Sequence, residues 1–119
     1  MKTTIFIFLL SSCFYAIGAQ ETIAGLWQTG NDNTIIEIVK NDTQWLGKIS
    51  SSDNEKAVIG KVIIKEFEPK DNGFKAKMYV AKKDKWMDAF FEIKEEELQV
   101  KISAGWKKKK IKWKRSGVN

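Results

Sequence analysis

The sequence predicts an all-β domain, a small antiparallel up-and-down β-barrel of about eight strands. Three observations carry this. Apolar and polar residues alternate along the chain, and turn residues break the alternation at spacings of about 8–12 residues. No connecting stretch offers the dozen or so residues of a parallel crossover, so the sheet is antiparallel. A tryptophan on the first strand, Trp27, and an arginine on the last, Arg115, can stack only if the sheet curls round and closes. About eight strands suffice for a barrel whose interior is filled by side chains or holds one small ligand, and closure removes exposed edges.

The chain opens with a stretch of another kind. Met1-Lys2 is positive, residues 5–10 are apolar, Phe14-Tyr15-Ala16-Ile17 continue the run, and Gly18 and Ala19 are small. This order fits a signal peptide over 1–19 that is cleaved after Ala19 or Gly18, leaving a barrel domain over 20–119. The run falls short of the roughly 20 apolar residues of a transmembrane helix, so no span is expected. Leu10-Ser11-Ser12-Cys13 offers an alternative, a lipoprotein anchored through Cys13. Either way the domain is expected outside the cytoplasm, periplasmic or extracellular.

The predicted strands follow in order. Residues 22–29 form the first, ended by Gly30-Asn31-Asp32-Asn33. Residues 34–40 form an isoleucine-rich second strand, and Asn41-Asp42 is a hairpin signal. Residues 43–50 place Trp45, Gly47 and Ile49 on one face and Lys48 on the other. Residues 58–67 form the fourth, with Gly60 as a candidate bulge. The segment from Glu68-Pro69 to Gly73 is the strongest turn signal in the chain. Residues 74–81 alternate cleanly, with Phe74, Ala76, Met78 and Val80 opposite Lys75, Lys77 and Tyr79. Residues 85–94 are apolar on both faces, so Trp86 and Phe90 compete with Met87, Ala89, Phe91 and Ile93 for the interior. Residues 97–103 point Leu98, Val100 and Ile102 inward. Ala104-Gly105-Trp106 turns into the last strand, 107–115, where Ile111, Trp113 and Arg115 share a face.

Composition narrows the chemistry. Hydrophobic residues make up 43% of the chain, enough for a core. The only cysteine is Cys13, so the domain holds no internal disulfide, and histidine is absent. Soft-metal sites and histidine-based triads are thereby excluded. Glu95-Glu96-Glu97 lacks the spacing of a calcium loop and reads as a solvated turn. Ser50-Ser51-Ser52 lacks a nucleophile-elbow frame. No catalytic residue, metal site or cofactor is expected, and the protein reads as non-enzymatic. The formal charge of +6 favours anionic partners.

Gly25, Trp27 and Arg115 read as barrel-closing residues. An arginine on the indole face adds a cation–π attraction of roughly 0.5–2 kcal/mol, and a glycine two residues earlier lets backbones approach closely. This trio resembles the structural signature of calycins, the lipocalin-like barrels. A wider pattern runs through Ile23-Ala24-Gly25-Leu26-Trp27-Gln28-Thr29, Ile36-Glu37-Ile38, Leu46-Gly47-Lys48-Ile49, residues 59–67, Leu98-Gln99-Val100 and Trp113-Lys114-Arg115. With the leader, these pieces resemble the secreted bacterial family known as domain of unknown function twenty-one forty-seven. The chain departs from that pattern in the middle. It lacks the usual Asp-Pro-x-x-Gly-x-x-Tyr element, and Ile102 stands where glycine is usual. The resemblance implies a lipocalin-like barrel outside the cytoplasm and transfers no catalytic residue.

Two candidate surfaces remain. Trp45, Met78, Trp86 and Phe90 are candidates to line a pocket for a small apolar or lipid-like ligand, entering at the end opposite Trp27. In so small a domain a filled interior is the default alternative. Lys107, Lys108, Lys109, Lys110 and Lys112 read as an outward lysine face, either solvating or in contact with anionic envelope lipid. Nucleic acid is not the expected partner of an exported protein. Oligomeric state is left open.

Overall fold

A computed structural model describes residues 23–116. The predicted leader and Cys13 lie outside the described residues. The chain forms eight antiparallel strands in a closed up-and-down barrel. They are β1 (Gly25–Gln28), β2 (Ile35–Asn41), β3 (Gln44–Ser51), β4 (Val62–Lys70), β5 (Gly73–Val80), β6 (Lys85–Lys94), β7 (Glu97–Ala104) and β8 (Lys107–Arg115). Each strand pairs with the next, and β8 returns to β1 through Trp27↔Arg115 and Gln28↔Lys114. The amide of Ser116 donates to the carbonyl of Leu26 at 2.9 Å and extends the seam by one bond.

Alternation decides which side chains fill the interior. On β5, Phe74, Ala76 and Met78 pair with Phe91, Ala89 and Met87 of β6, and Ala89 and Phe91 continue to Ile102 and Val100 of β7. This settles the face of β6. Met87, Ala89 and Phe91 are buried, whereas Trp86, Asp88 and Phe90 point outward. Trp27, Trp113, Ile36, Ile38, Ile64, Leu98 and Val100 complete the centre of the core. Burying each of the larger side chains contributes about 1.5–3 kcal/mol.

Because the barrel is up-and-down, its turns sort by parity. The β2–β3, β4–β5 and β6–β7 turns share one end with the first residue of β1 and the last of β8. The β1–β2, β3–β4, β5–β6 and β7–β8 connections share the other. We call these the locked end and the loop end.

β4 differs most from expectation. It starts at Val62 rather than 58, because Val58 and Ile59 lie in an exposed loop instead of a ladder. Gly60 is a turn residue with φ +90° rather than a bulge, and its amide donates to the carbonyl of Ile49. The bulge falls at Glu66, with φ +58°, where the register shifts between Lys65 and Glu68. The strand then runs through Pro69 to Lys70, and the turn shrinks to Asp71-Asn72. Proline is tolerated in this strand because β4 there has one ladder partner, β5, and behaves as an edge.

Candidate functional site

The locked end is organised around Trp27. Its indole N–H donates to the carbonyl of Ile23 at 2.9 Å, which satisfies the one polar atom of a fully buried ring. The Arg115 guanidinium lies 4.1 Å from the indole centroid, and its Nη1 donates to the carbonyl of Ala24 at 2.8 Å. Gly25 has φ +127°, and a Cβ there would meet Arg115 Nη1 at 3.0 Å. Gly25, Trp27 and Arg115 are thus brought together as one closure, with the first described residues laid across it.

Two ladders of the barrel are short, the β8–β1 closure and the β3–β4 pairing, and the second leaves a gap in the wall. β3 and β4 pair only through Gly47↔Ile64 and Lys48↔Val62, with a register shift between them. Close approach at this point depends on Gly47, since a Cβ there would lie 2.7 Å from Ile64 Cδ1. Towards the locked end the two strands separate. Trp45 continues to pair with Lys40 on β2, while the Glu66 bulge turns β4 towards β5. The gap is a cleft of about 480 Å³ lined by Trp45, Leu46, Val62 and Phe67, with Lys65, Glu66 and Glu68 at its rim. Phe67 links the cleft to the core, its ring 5.7 Å from that of Phe91 and 6.3 Å from that of Phe74. The backbone of Gln44–Leu46 and Lys65–Phe67 has no ladder partner across the gap.

A second concavity, of about 420 Å³, lies on the outer face of β5–β8. Phe90 and Ala89 contribute to its floor, and Lys75, Lys101 and Lys108 line it beside Asp88. The register explains the charge. Lys75, Phe90, Lys101 and Lys110 form one outward row across four strands. Lys77 bonds Asp88 on the same face. That bond, followed by the ammonium charge, holds the Asp88 carboxyl below its ordinary range; the same bond, followed by the carboxylate charge, raises Lys77 above its own.

The four candidate pocket residues are not brought together. Trp45 lines the cleft, and Met78 faces the interior against Ile64 and Met87. Trp86 meets Tyr79 edge-on outside the barrel, with ring centroids 5.7 Å apart, under the Lys65 ammonium at 4.1 Å. Phe90 lies in the outer groove. The concavity that holds Trp45 opens through the wall and not at the end opposite Trp27. Phe67, Val62 and Leu46 enter it unannounced by sequence, for a left-handed glutamate carries no signature. The lysines of β8 divide by parity. Lys108, Lys110 and Lys112 project outward, whereas Lys107 and Lys109 fall on the strand face of Ile111 and Trp113 but are exposed at the loop end. Among the described residues no three or more His, Cys, Asp or Glu side chains are placed to hold a metal ion. No helix among them is long and apolar enough to cross a membrane.

No protein-family model matches the chain, and neither the curated proteins nor the solved structures compared with it give a significant match.

Proposed function

We propose that the protein is an exported, non-enzymatic, lipocalin-like barrel that binds one small amphipathic or lipid-like molecule in the cleft between β3 and β4. One observation carries this reading: the β3–β4 ladder stops at Gly47↔Ile64 and leaves a cleft of about 480 Å³ beside Trp45 and Phe67. That volume falls in the range of small-molecule sites, roughly 300–1,000 Å³. The lining suits an apolar body, and the rim of Lys65, Glu66 and Glu68, with unpaired strand backbone, suits a polar head. The order of charge, apolar run and small residues over 1–19 supports export. The closed eight-strand barrel with Arg115 on Trp27 supports the lipocalin-like assignment.

The test is a fluorescence titration with anilinonaphthalene sulfonate, a small amphipathic dye, beside native mass spectrometry of protein isolated from its producing cells. Wild type is expected to bind one dye per chain and to carry a lipid-sized adduct. Trp45→Ala and Phe67→Ala should weaken dye binding, while Phe90→Ala in the outer groove leaves it unchanged. Dye binding that is indifferent to Trp45 and Phe67, in variants that remain folded by circular dichroism, would remove the cleft from the function.

A further inference from the structure

The loop end gathers the large apolar side chains that the fold leaves in water. Among the described residues these are Val58 (59% exposed), Ile59 (58%), Trp86 (37%) and Trp106 (88%). Val58 and Ile59 stand on the β3–β4 loop, Trp86 is the second residue of β6, and Trp106 occupies the β7–β8 turn. By the parity of the barrel all four belong to one end. A run of contacts leads from the β3–β4 loop to Trp86: the Lys61 ammonium lies 4.5 Å from the Tyr79 ring, and Tyr79 meets Trp86 edge-on. A tryptophan so exposed on a turn adds almost nothing to folding, so stability does not account for it.

Charge separates this end from the other. Lys56 and Lys61 flank Val58-Ile59, Lys82, Lys83 and Lys85 surround the β5–β6 tip, and Lys107 and Lys108 follow Trp106. The acids of the loop end are Asp32, Asp53, Glu55 and Asp84. Three of them are engaged locally: Asp32 accepts from Asn54, Asp53 from Asn33, and Asp84 from the Tyr79 hydroxyl. The turns of the locked end carry Asp42, Asp71, Glu95 and Glu96 instead.

We propose that the loop end docks end-on onto an anionic lipid bilayer. Trp106, Val58 and Ile59 enter the headgroup layer, Trp86 sits at its margin, and Lys82, Lys83 and Lys107 meet lipid phosphates. The apolar groups stand on separate turns with lysines between them. A fluid interface accommodates that arrangement, whereas a rigid protein partner needs a continuous complementary patch. Tryptophan favours the bilayer interface, and each lysine near an anionic surface contributes about 1 kcal/mol. The inference uses no part of the β3–β4 cleft.

The test is flotation of the whole chain with phosphatidylcholine vesicles, with and without phosphatidylglycerol, together with quenching of tryptophan by brominated lipid. Wild type should bind the phosphatidylglycerol vesicles, and most of the quenching should vanish in Trp106→Phe. Ile59→Ser should lower binding about ten-fold, and Lys82→Gln with Lys83→Gln about five-fold for each charge, all at unchanged melting temperature. Lys101→Gln with Lys110→Gln, on the outer face of β7–β8, should change it little. Two results would overturn the proposal: no preference for phosphatidylglycerol, or binding that survives Trp106→Ala and Ile59→Ser but is lost with Lys101 and Lys110. The latter would mean that the barrel lies on its side.

Discussion

The two ends of the barrel are built to opposite rules. At the locked end Trp27, Trp113 and Phe91 are buried, the indole N–H of Trp27 is satisfied, and an arginine closes the seam between first and last strands. The turns there are tight and acidic. At the loop end three of the four connections are longer, lysines gather, and Val58, Ile59 and Trp106 face water. Stability is concentrated where aromatic rings are covered. In the reading proposed above, contact with other molecules falls to the loop end and to the wall seam, where the core or the ladder is incomplete.

The sharpest way to break this comparison is to remove the ring at the centre of the lock. Trp27→Ala should cost about 3–5 kcal/mol, as large aromatic deletions in packed cores do, read as a large fall in thermal midpoint. Arg115→Ala should cost less, roughly 1–2 kcal/mol, from one cation–π contact and one charged hydrogen bond. Neither is expected to shift dye binding at the cleft in the fraction that remains folded. Trp106→Ala, which removes a ring of the same size at the opposite end, should fall within about 0.5 kcal/mol of wild type. If Trp106→Ala destabilised as much as Trp27→Ala, the division between ends would fail.

The lock was legible in the sequence because its parts have few alternatives. A Gly-x-Trp at the start and an arginine at the end of an eight-strand pattern leave one geometry that uses both. The β5 alternation was equally legible, and it fixes the register against Met87, Ala89 and Phe91. The face of β6 was not, since Trp86 and Phe90 are as apolar as the residues between them and only pairing decides. Nor was the start of β4, because Val58 and Ile59 look like strand residues yet stand in a loop. The cleft was hidden for a related reason. It arises from a left-handed glutamate and a truncated ladder, which are products of tertiary packing, and Pro69 is the one local hint that β4 lacks a second partner.

A smaller effect sharpens the account of the locked end. In the β6–β7 turn both central residues, Glu95 and Glu96, have positive φ, at 52° and 68°. This backbone costs an L side chain roughly 1–2 kcal/mol, and glycine adopts it freely. Glu96→Gly should therefore raise stability by about 0.5–1 kcal/mol after the greater unfolded-state entropy of glycine is counted. Chemical denaturation with an unchanged slope would show it as a shift in midpoint alone. A fall in stability would mean that the glutamate side chain does more for the turn than its backbone costs.

The smallest expected effect lies between the ends, in the Lys77–Asp88 pair on the outer wall. The hydrogen bond from Lys77, and then its charge, hold the Asp88 carboxyl below its ordinary value. A carboxyl depressed in the folded state stabilises at pH above its unfolded value, about 3.9, and loses that contribution as pH falls through the folded value. Lys77 is raised, by its bond to Asp88 first. Its contribution is present below the ordinary lysine value and lost as pH rises through the raised one. The pair therefore acts as a plateau across neutral pH that decays at both extremes. Asp88→Asn should lower the melting temperature slightly at pH 7, and the gap from wild type should close in acid. Both groups are solvent-exposed, so salt should close it as well. A gap that persisted in strong acid or high salt would show that Asp88 acts through packing beside Phe90 rather than through its charge.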